Sequence, residues 1–339
     1  MHSIIGSLTY GLVFNYVYNP QQLLKADLDF ATFLKMSEKN LTSGKFEWYI
    51  TGNLTPDEAI SMTEKPEKVF KNIEGGKFQM LQHNNELVHI QPVDLEKNTT
   101  FNYVLHGHDK DNVNSCILSY FQKDEETMRS KLLNELIFQY LQEPAFNQLR
   151  TKEQLGYIAS GFNVPTRLVN GGGFIIQSDA GSPEFLIHRI DSFLETQKQK
   201  IADLTDEEFS TNVTSIQSNK LQKDRNLRSE TARLGYEIMT HQYEFDRKTK
   251  EIEMLSTLNK KEFINYFLSF FFDQPKRLNV HLLASQHLDN QQEFKKVNDE
   301  FSKANGVNNM YIDSIDAFKA TADYFPDLYK INESFKAKM

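Results

Sequence analysis

The segment from Pro144 to Ile158, PAFNQLRTKEQLGYI, places Arg150 and Tyr157 seven residues apart, where a long amphipathic run gives way to an apolar, strand-like one. Both side chains donate hydrogen bonds, and donors are what a developing oxyanion, such as the one formed in peptide hydrolysis, requires. The same residues also fit a purely architectural reading. A cation at a helix end complements the exposed carbonyls and the macrodipole, and a tyrosine is an ordinary strand aromatic. Spacing alone leaves both readings open.

Two histidine groups could bind metal. His83 and His89 fail on geometry: on a helix they point roughly 120° apart, and on a strand they lie ~20 Å apart, whereas zinc needs its ligands about 2 Å from one point. His106 and His108, followed by Asp109 and Asp111, share a strand face, but no third ligand is identified, so a polar strand end is the simpler reading. No metal ligands are assigned. Gly171-Gly172-Gly173 fits a lid or an anion-binding nest, and more simply a turn between strands. Neither G-x-G-x-x-G nor G-x-x-x-x-G-K-[ST] occurs in a nucleotide-binding context.

The elements that must position these residues follow from periodicity. Ile5, Leu8 and Leu12 predict a helix running to about Tyr18, stopped by Asn19-Pro20, and a second helix follows Asp29. KFEWYI (45–50) alternates like a strand, and Thr55-Pro56-Asp57-Glu58 is a helix start with a capping residue, a first-turn proline and a glutamate at the third position. A polar stretch from Asn72 to Asn85 reads as a linker. Strands are expected at 101–106 and 115–121, then a long helix from about Asp124 with Met128, Leu132, Leu136 and Tyr140 on one stripe, bent or interrupted at Pro144. LGYIASGFNV and GGFIIQSDA read as paired strands. Helices open at Ser182-Pro183 and Thr205, helical patterning continues to about Phe272, and a last strand covers 277–285. Hairpin-linked strands with helices in blocks predict an α+β class: an antiparallel sheet with helices packed as a layer sandwich.

Bulk composition narrows the function classes. The 339 residues carry a net charge of −8 with no sustained block of either sign, which disfavours a phosphate-tracking surface. The single cysteine, Cys116, allows no intramolecular disulfide, and no apolar run is long enough to span a bilayer. Nucleic acid and membrane are therefore not expected as partners, and a reducing compartment, the cytoplasm, is.

EPAFNQLRTKEQLGYI, GGFIIQSDA, YEFDRKTKEIEMLSTL and NVHLLAS together resemble the C-terminal half of the insulysin and pitrilysin family of zinc metallopeptidases. The resemblance covers the chain well from about Leu87 and more loosely before it. It implies residues 1–86 as the C-terminal part of a middle, third domain and 87–339 as the fourth, in an enzyme whose two halves enclose peptide substrates. Zinc would be held by an H-x-x-E-H motif in the complementary N-terminal half, while Arg150 and Tyr157 match residues that contact substrate and stabilise the scissile carbonyl, and Phe146 matches an aromatic lining the cleft. No H-x-x-E-H occurs in this chain, so alone it is expected to bind no catalytic zinc and to be inactive. A catalytically inactive peptide-binding or scaffold subunit is the second reading. Homo-oligomers are compatible with either, and the terminal Ala337-Lys338-Met339 resembles a weak peroxisomal address.

Overall fold

The computed structural model describes residues 2–10, 24–26, 28–40, 42–72, 78–81, 91–107, 109–165, 169–287, 295, 296, 299, 300, 303 and 306–326. These fall into two compact units. One draws on segments within 1–11, 92–222 and 246–325, the other on segments within 12–91, 223–245 and 326–339.

The first unit is built on six strands: β1 (Thr99–His106), β2 (Ser115–Glu125), β3 (Ile158–Pro165), β4 (Val169–Ser178), β5 (Lys276–Leu283) and β6 (Asn308–Ile312). Their order in the sheet is β3-β4-β2-β5-β1-β6. Pairing is antiparallel from β3 through β5, while β1 runs parallel to both β5 and β6. The expected α+β class holds, with a mixed rather than wholly antiparallel sheet.

Alternation along the strands divides the buried residues between two faces. On one face Ile117, Phe121, Phe174 and Ile176 pack against α2 (Met128–Ala145), α3 (Pro183–Ala202), α4 (Asp206–Leu221), α5 (Arg247–Leu255) and α6 (Lys260–Phe271). On the other, Phe101, Leu118, Leu278 and Val280 meet Ile5 and Leu8 of α1 (His2–Thr9) and Phe318 of α7 (Ile315–Thr321).

Several expectations shift in register. β2 continues through Glu125, which pairs with Val169, so the long helix starts at Met128 rather than Asp124, closed by a Thr127–Ser130 capping box. The first helix ends at Thr9 instead of Tyr18, because Tyr10 bridges to Pro92; residues 11–18 lie outside the described ones. The three glycines are not a turn. Gly171, Gly172 and Gly173 sit inside β4, where an added Cβ would fall 2.3 Å from the Tyr120 hydroxyl, 2.3 Å from the Phe138 ring and 1.8 Å from the Ser119 carbonyl respectively. They leave room for side chains above and below the strand and for the backbone of β2 beside it.

In the second unit Thr55 closes the expected capping box on a helix from Pro56 to Lys71. KFEWYI forms no strand: among the described residues its backbone joins no ladder. Its alternation instead stacks Phe46 on Trp48 and on Phe78, beside Phe70.

Candidate functional site

The corner between α2 and β3 is wound by Pro144. Proline has no N–H to return to the carbonyl four residues back, so the α-helical ladder loses a rung there. α2 ends at Ala145, and the chain continues as a π-helical stretch from Phe146 to Lys152, a widening that occurs mostly as short segments, often at functional positions. Leu149 and Leu155 are buried and pin both ends of the turn to the core, and the Leu155 N–H donates to the Leu149 carbonyl at 3.0 Å. Gln154 takes a left-handed backbone, φ 53°. Gly156 follows where the backbone crosses β4 so closely that a Cβ would lie 1.8 Å from the Gln177 carbonyl.

This winding brings all three expected residues together. The Arg150 guanidinium carbon lies 4.8 Å from the centroid of the Phe146 ring and 4.8 Å from that of the Tyr157 ring, so the cation contacts both rings. Stacking of this kind is worth on the order of 0.5–1 kcal/mol at exposed sites. Phe146 is 44% and Tyr157 83% exposed. Neither the guanidinium nor the Tyr157 hydroxyl has a hydrogen-bond or ion-pair partner among the described residues. The cation is thus held by ring contacts while its N–H groups, like the Tyr157 hydroxyl, have no partner among the described residues.

Sequence reading missed what braces the corner. Glu153 accepts two bonds from Arg189 of α3, at 2.6 and 2.8 Å, and one from Gln148 Nε2 at 2.7 Å. The Arg189 hydrogen bonds hold its carboxyl below the ordinary glutamate value. The clamp joins residues 36 apart in sequence, and no local pattern signals it.

Also missed is a row of buried polar side chains across the other half of the sheet. Asn102 of β1, Asn279 of β5 and Ser119 of β2 are register neighbours. Asn279 donates to Asn102 at 3.1 Å, and Ser119 donates to Asn279 at 2.9 Å. Arg277 bonds Ser119 at 2.8 Å and Asp191 of α3 at 2.7 Å. His281 sits 3.0 Å from Asn102 and 3.5 Å from Glu184. The signal was there in Arg277, Asn279 and His281, polar residues at period two with Leu278, Val280 and Leu282 in alternation.

With this geometry in view, the chain's relatives can be compared. Residues 136–235 match the model of the PQQ synthase PqqF-like family, C-terminal lobe domain 4. The chain is 34% identical over 245 residues to insulin-degrading enzyme of Homo sapiens, a match spanning 71% of this chain and 23% of that protein. It is 32% identical over 266 residues to insulin-degrading enzyme-like 1, peroxisomal, of Arabidopsis thaliana, spanning 77% and 27%. The crystal structure of pitrilysin superposes with a TM-score of 0.71 at 19% identity, covering 91% of this chain and 31% of that one. The chain belongs to the insulysin and pitrilysin family. Its insulysin-type relatives are metallopeptidases, and the matched stretch is about a quarter of their length.

Among the described residues no group of three or more His, Cys, Asp or Glu side chains is placed to hold an ion. His106 closes β1 opposite Leu283, and the Asp109 carboxylate accepts the Asp111 N–H at 3.0 Å, as in a polar turn. His83, His89 and His108 lie outside the described residues. No helix among those described is long and apolar enough to cross a membrane.

Proposed function

We propose that this chain is the non-zinc half of an insulysin-like zinc metalloendopeptidase, with residues 1–86 the end of a third domain and 87–339 the fourth. Zinc and the general base belong to a complementary N-terminal half, on the same chain or another, and this half helps enclose the peptide. The observation that carries the reading is the Arg150 guanidinium in contact with the rings of Phe146 and Tyr157 and without a hydrogen-bond partner among the described residues. Phe146 offers the peptide an apolar surface, and Arg150 and Tyr157 donate to the scissile carbonyl. Charge builds on that oxygen as the tetrahedral centre forms, so the donors stabilise the transition state more than the ground state. The stack matters because a cation fixed before substrate arrives loses little freedom when the reaction demands it.

The test is complementation: this chain is combined with a family N-terminal half bearing H-x-x-E-H, and peptide cleavage is compared for wild type, Arg150→Lys and Tyr157→Phe. Cleavage that needs both halves and falls in both variants supports the reading. Peptide binding without cleavage by the assembled halves would replace it with that of an inactive peptide-binding subunit. By itself the chain should take up no stoichiometric zinc and cleave nothing.

The proposed location is the cytoplasm, with Ala337-Lys338-Met339 as a weak peroxisomal address; the peroxisomal relative from Arabidopsis supports the second element. A reporter carrying the last dozen residues that stays wholly cytosolic removes it.

A further inference from the structure

The two edges of the six-stranded sheet are built differently. An edge strand presents a row of unpaired N–H and C=O groups, and folds blunt that row with shortness, charge, proline or a covering segment. β6, at one edge, has five residues and charge beside it: Asn309 donates to the Asp299 carboxylate at 2.6 Å, and the Lys295 ammonium lies 4.5 Å from the centroid of the Tyr311 ring. β3, at the other edge, has eight residues, IASGFNVP, without a charged side chain and with its one proline in last place. It pairs with β4 in continuous register from Ile158 to Pro165, without a bulge, and no described strand lies on its other side. One edge is defended and the other is not.

Position and side-chain pattern decide what suits the open edge. β3 begins at Ile158, the residue after Tyr157, so a chain laid along it runs directly to the Arg150 corner. Alternation puts Ile158, Ser160, Phe162 and Val164 on one face of the strand and Ala159, Gly161 and Asn163 on the other. On the first face Phe162 and Val164 are only partly buried, and they offer apolar cross-strand neighbours to every second side chain of an added strand. On the second, Asn163 already accepts from Asn134 at 2.8 Å. Gly161 is bare although the fold leaves room there: a Cβ would lie 3.4 Å from the Phe174 ring, unlike the clashing positions of β4. A glycine inside a strand suits the close approach of a second backbone.

We propose that β3 is a docking edge for an extended peptide, which adds to the sheet as a further strand. Main-chain hydrogen bonds hold it, and β-prone sequences with apolar side chains at alternate positions, beside Phe162 and Val164, are favoured. The inference rests on the peptidase reading for its occupant and gives that reading a substrate class.

The whole chain is titrated with an end-blocked octapeptide of alternating threonine and valine, with lysine at each end, and with two analogues N-methylated on the even or on the odd residues. In an added strand the N–H groups of alternate residues face the sheet, so one analogue keeps its bonding edge and the other loses it. The first should bind nearly as well as the parent and the second at least ~10-fold more weakly, because several main-chain bonds are lost together. Amide hydrogen exchange read by NMR should slow at alternate residues of β3 in the complex and stay unchanged along β6. Equal affinity of the two analogues, protection elsewhere in place of β3, or no binding of the parent up to millimolar concentration would each overturn the proposal. The titration contains no zinc-bearing half, so its failure leaves a successful complementation standing. Failed complementation with protection at β3 would retire the peptidase reading and keep the docking edge.

Discussion

Arg150 and Arg277 both lie over aromatic rings, 4.8 and 4.9 Å from the nearest ring centroid, yet the edges of their guanidinium planes meet different surroundings. Arg277 spends its edge on Ser119, Asn279 and Asp191 inside the fold. Arg150 spends none of it on the described protein and meets the rings of Phe146 and Tyr157 instead. The same residue type is a structural crosslink in one place and, on the proposed function, a poised donor in the other. What separates them is whether the protein itself supplies the acceptor.

The contrast can be broken most forcefully at the crosslink. Asp191→Ala leaves Arg277 charged and largely enclosed, and removing one member of a buried pair costs about 3–5 kcal/mol. Because this pair keeps some solvent contact, 11% and 18% exposure, the expected loss is at the lower end of that range. Arg150→Ala should cost less than about 1 kcal/mol, the value of its stacking. Urea denaturation of the two variants reads the difference directly. Equal losses would erase the distinction.

The next test concerns reaction rate in the reconstituted enzyme. Tyr157→Phe keeps the ring that stacks on Arg150 and removes the hydroxyl, so turnover should fall on the order of 10²–10³-fold with an unchanged melting temperature. Arg150→Lys keeps the charge but loses the planar fork, and should fall comparably. Activity losses that only track stability would return the corner to a purely architectural role.

A smaller effect is expected at the brace. Arg189→Met removes both donors from Glu153 and should cost roughly 1–2 kcal/mol, within the range for charge-assisted hydrogen bonds. In the complete enzyme it should also loosen the Arg150 stack, lowering kcat more than it raises KM.

The smallest effect is on acid stability. Glu153 has its carboxyl held below the ordinary value of 4.5 by the Arg189 hydrogen bonds. A depressed folded-state value means the unfolded chain takes up the proton first as pH falls. The stabilisation is therefore complete above the unfolded value and is lost as pH drops through the folded one. Glu153→Gln should flatten that part of the acid limb and leave stability near neutrality reduced but insensitive to pH. A wild-type acid limb in this variant would exclude Glu153 as its source.

How much of this was legible depends on whether the signal was local. Capping at Thr55, Ser182 and Thr205, the hairpin of β3 and β4, and the run from Phe146 to Tyr157 could all be read because each is written within a few residues. KFEWYI misled because alternation says only that side chains point both ways and does not supply a partner strand. The Glu153–Arg189 clamp and the polar row were invisible as units, since their members meet only once α3 lies over the sheet. Gly171 to Gly173 misled for another reason: residues without side chains leave no periodicity, so a strand made of them looks like a turn.

That strand has a consequence for how the gene can drift. Every amino-acid replacement at Gly171, Gly172 or Gly173 adds a Cβ, and each Cβ would lie within 2.3 Å of an atom already in place. No conservative neighbour exists for any of the three, as leucine has methionine or aspartate has glutamate. Their codons should vary only silently, making this short stretch a cold spot between regions free to change.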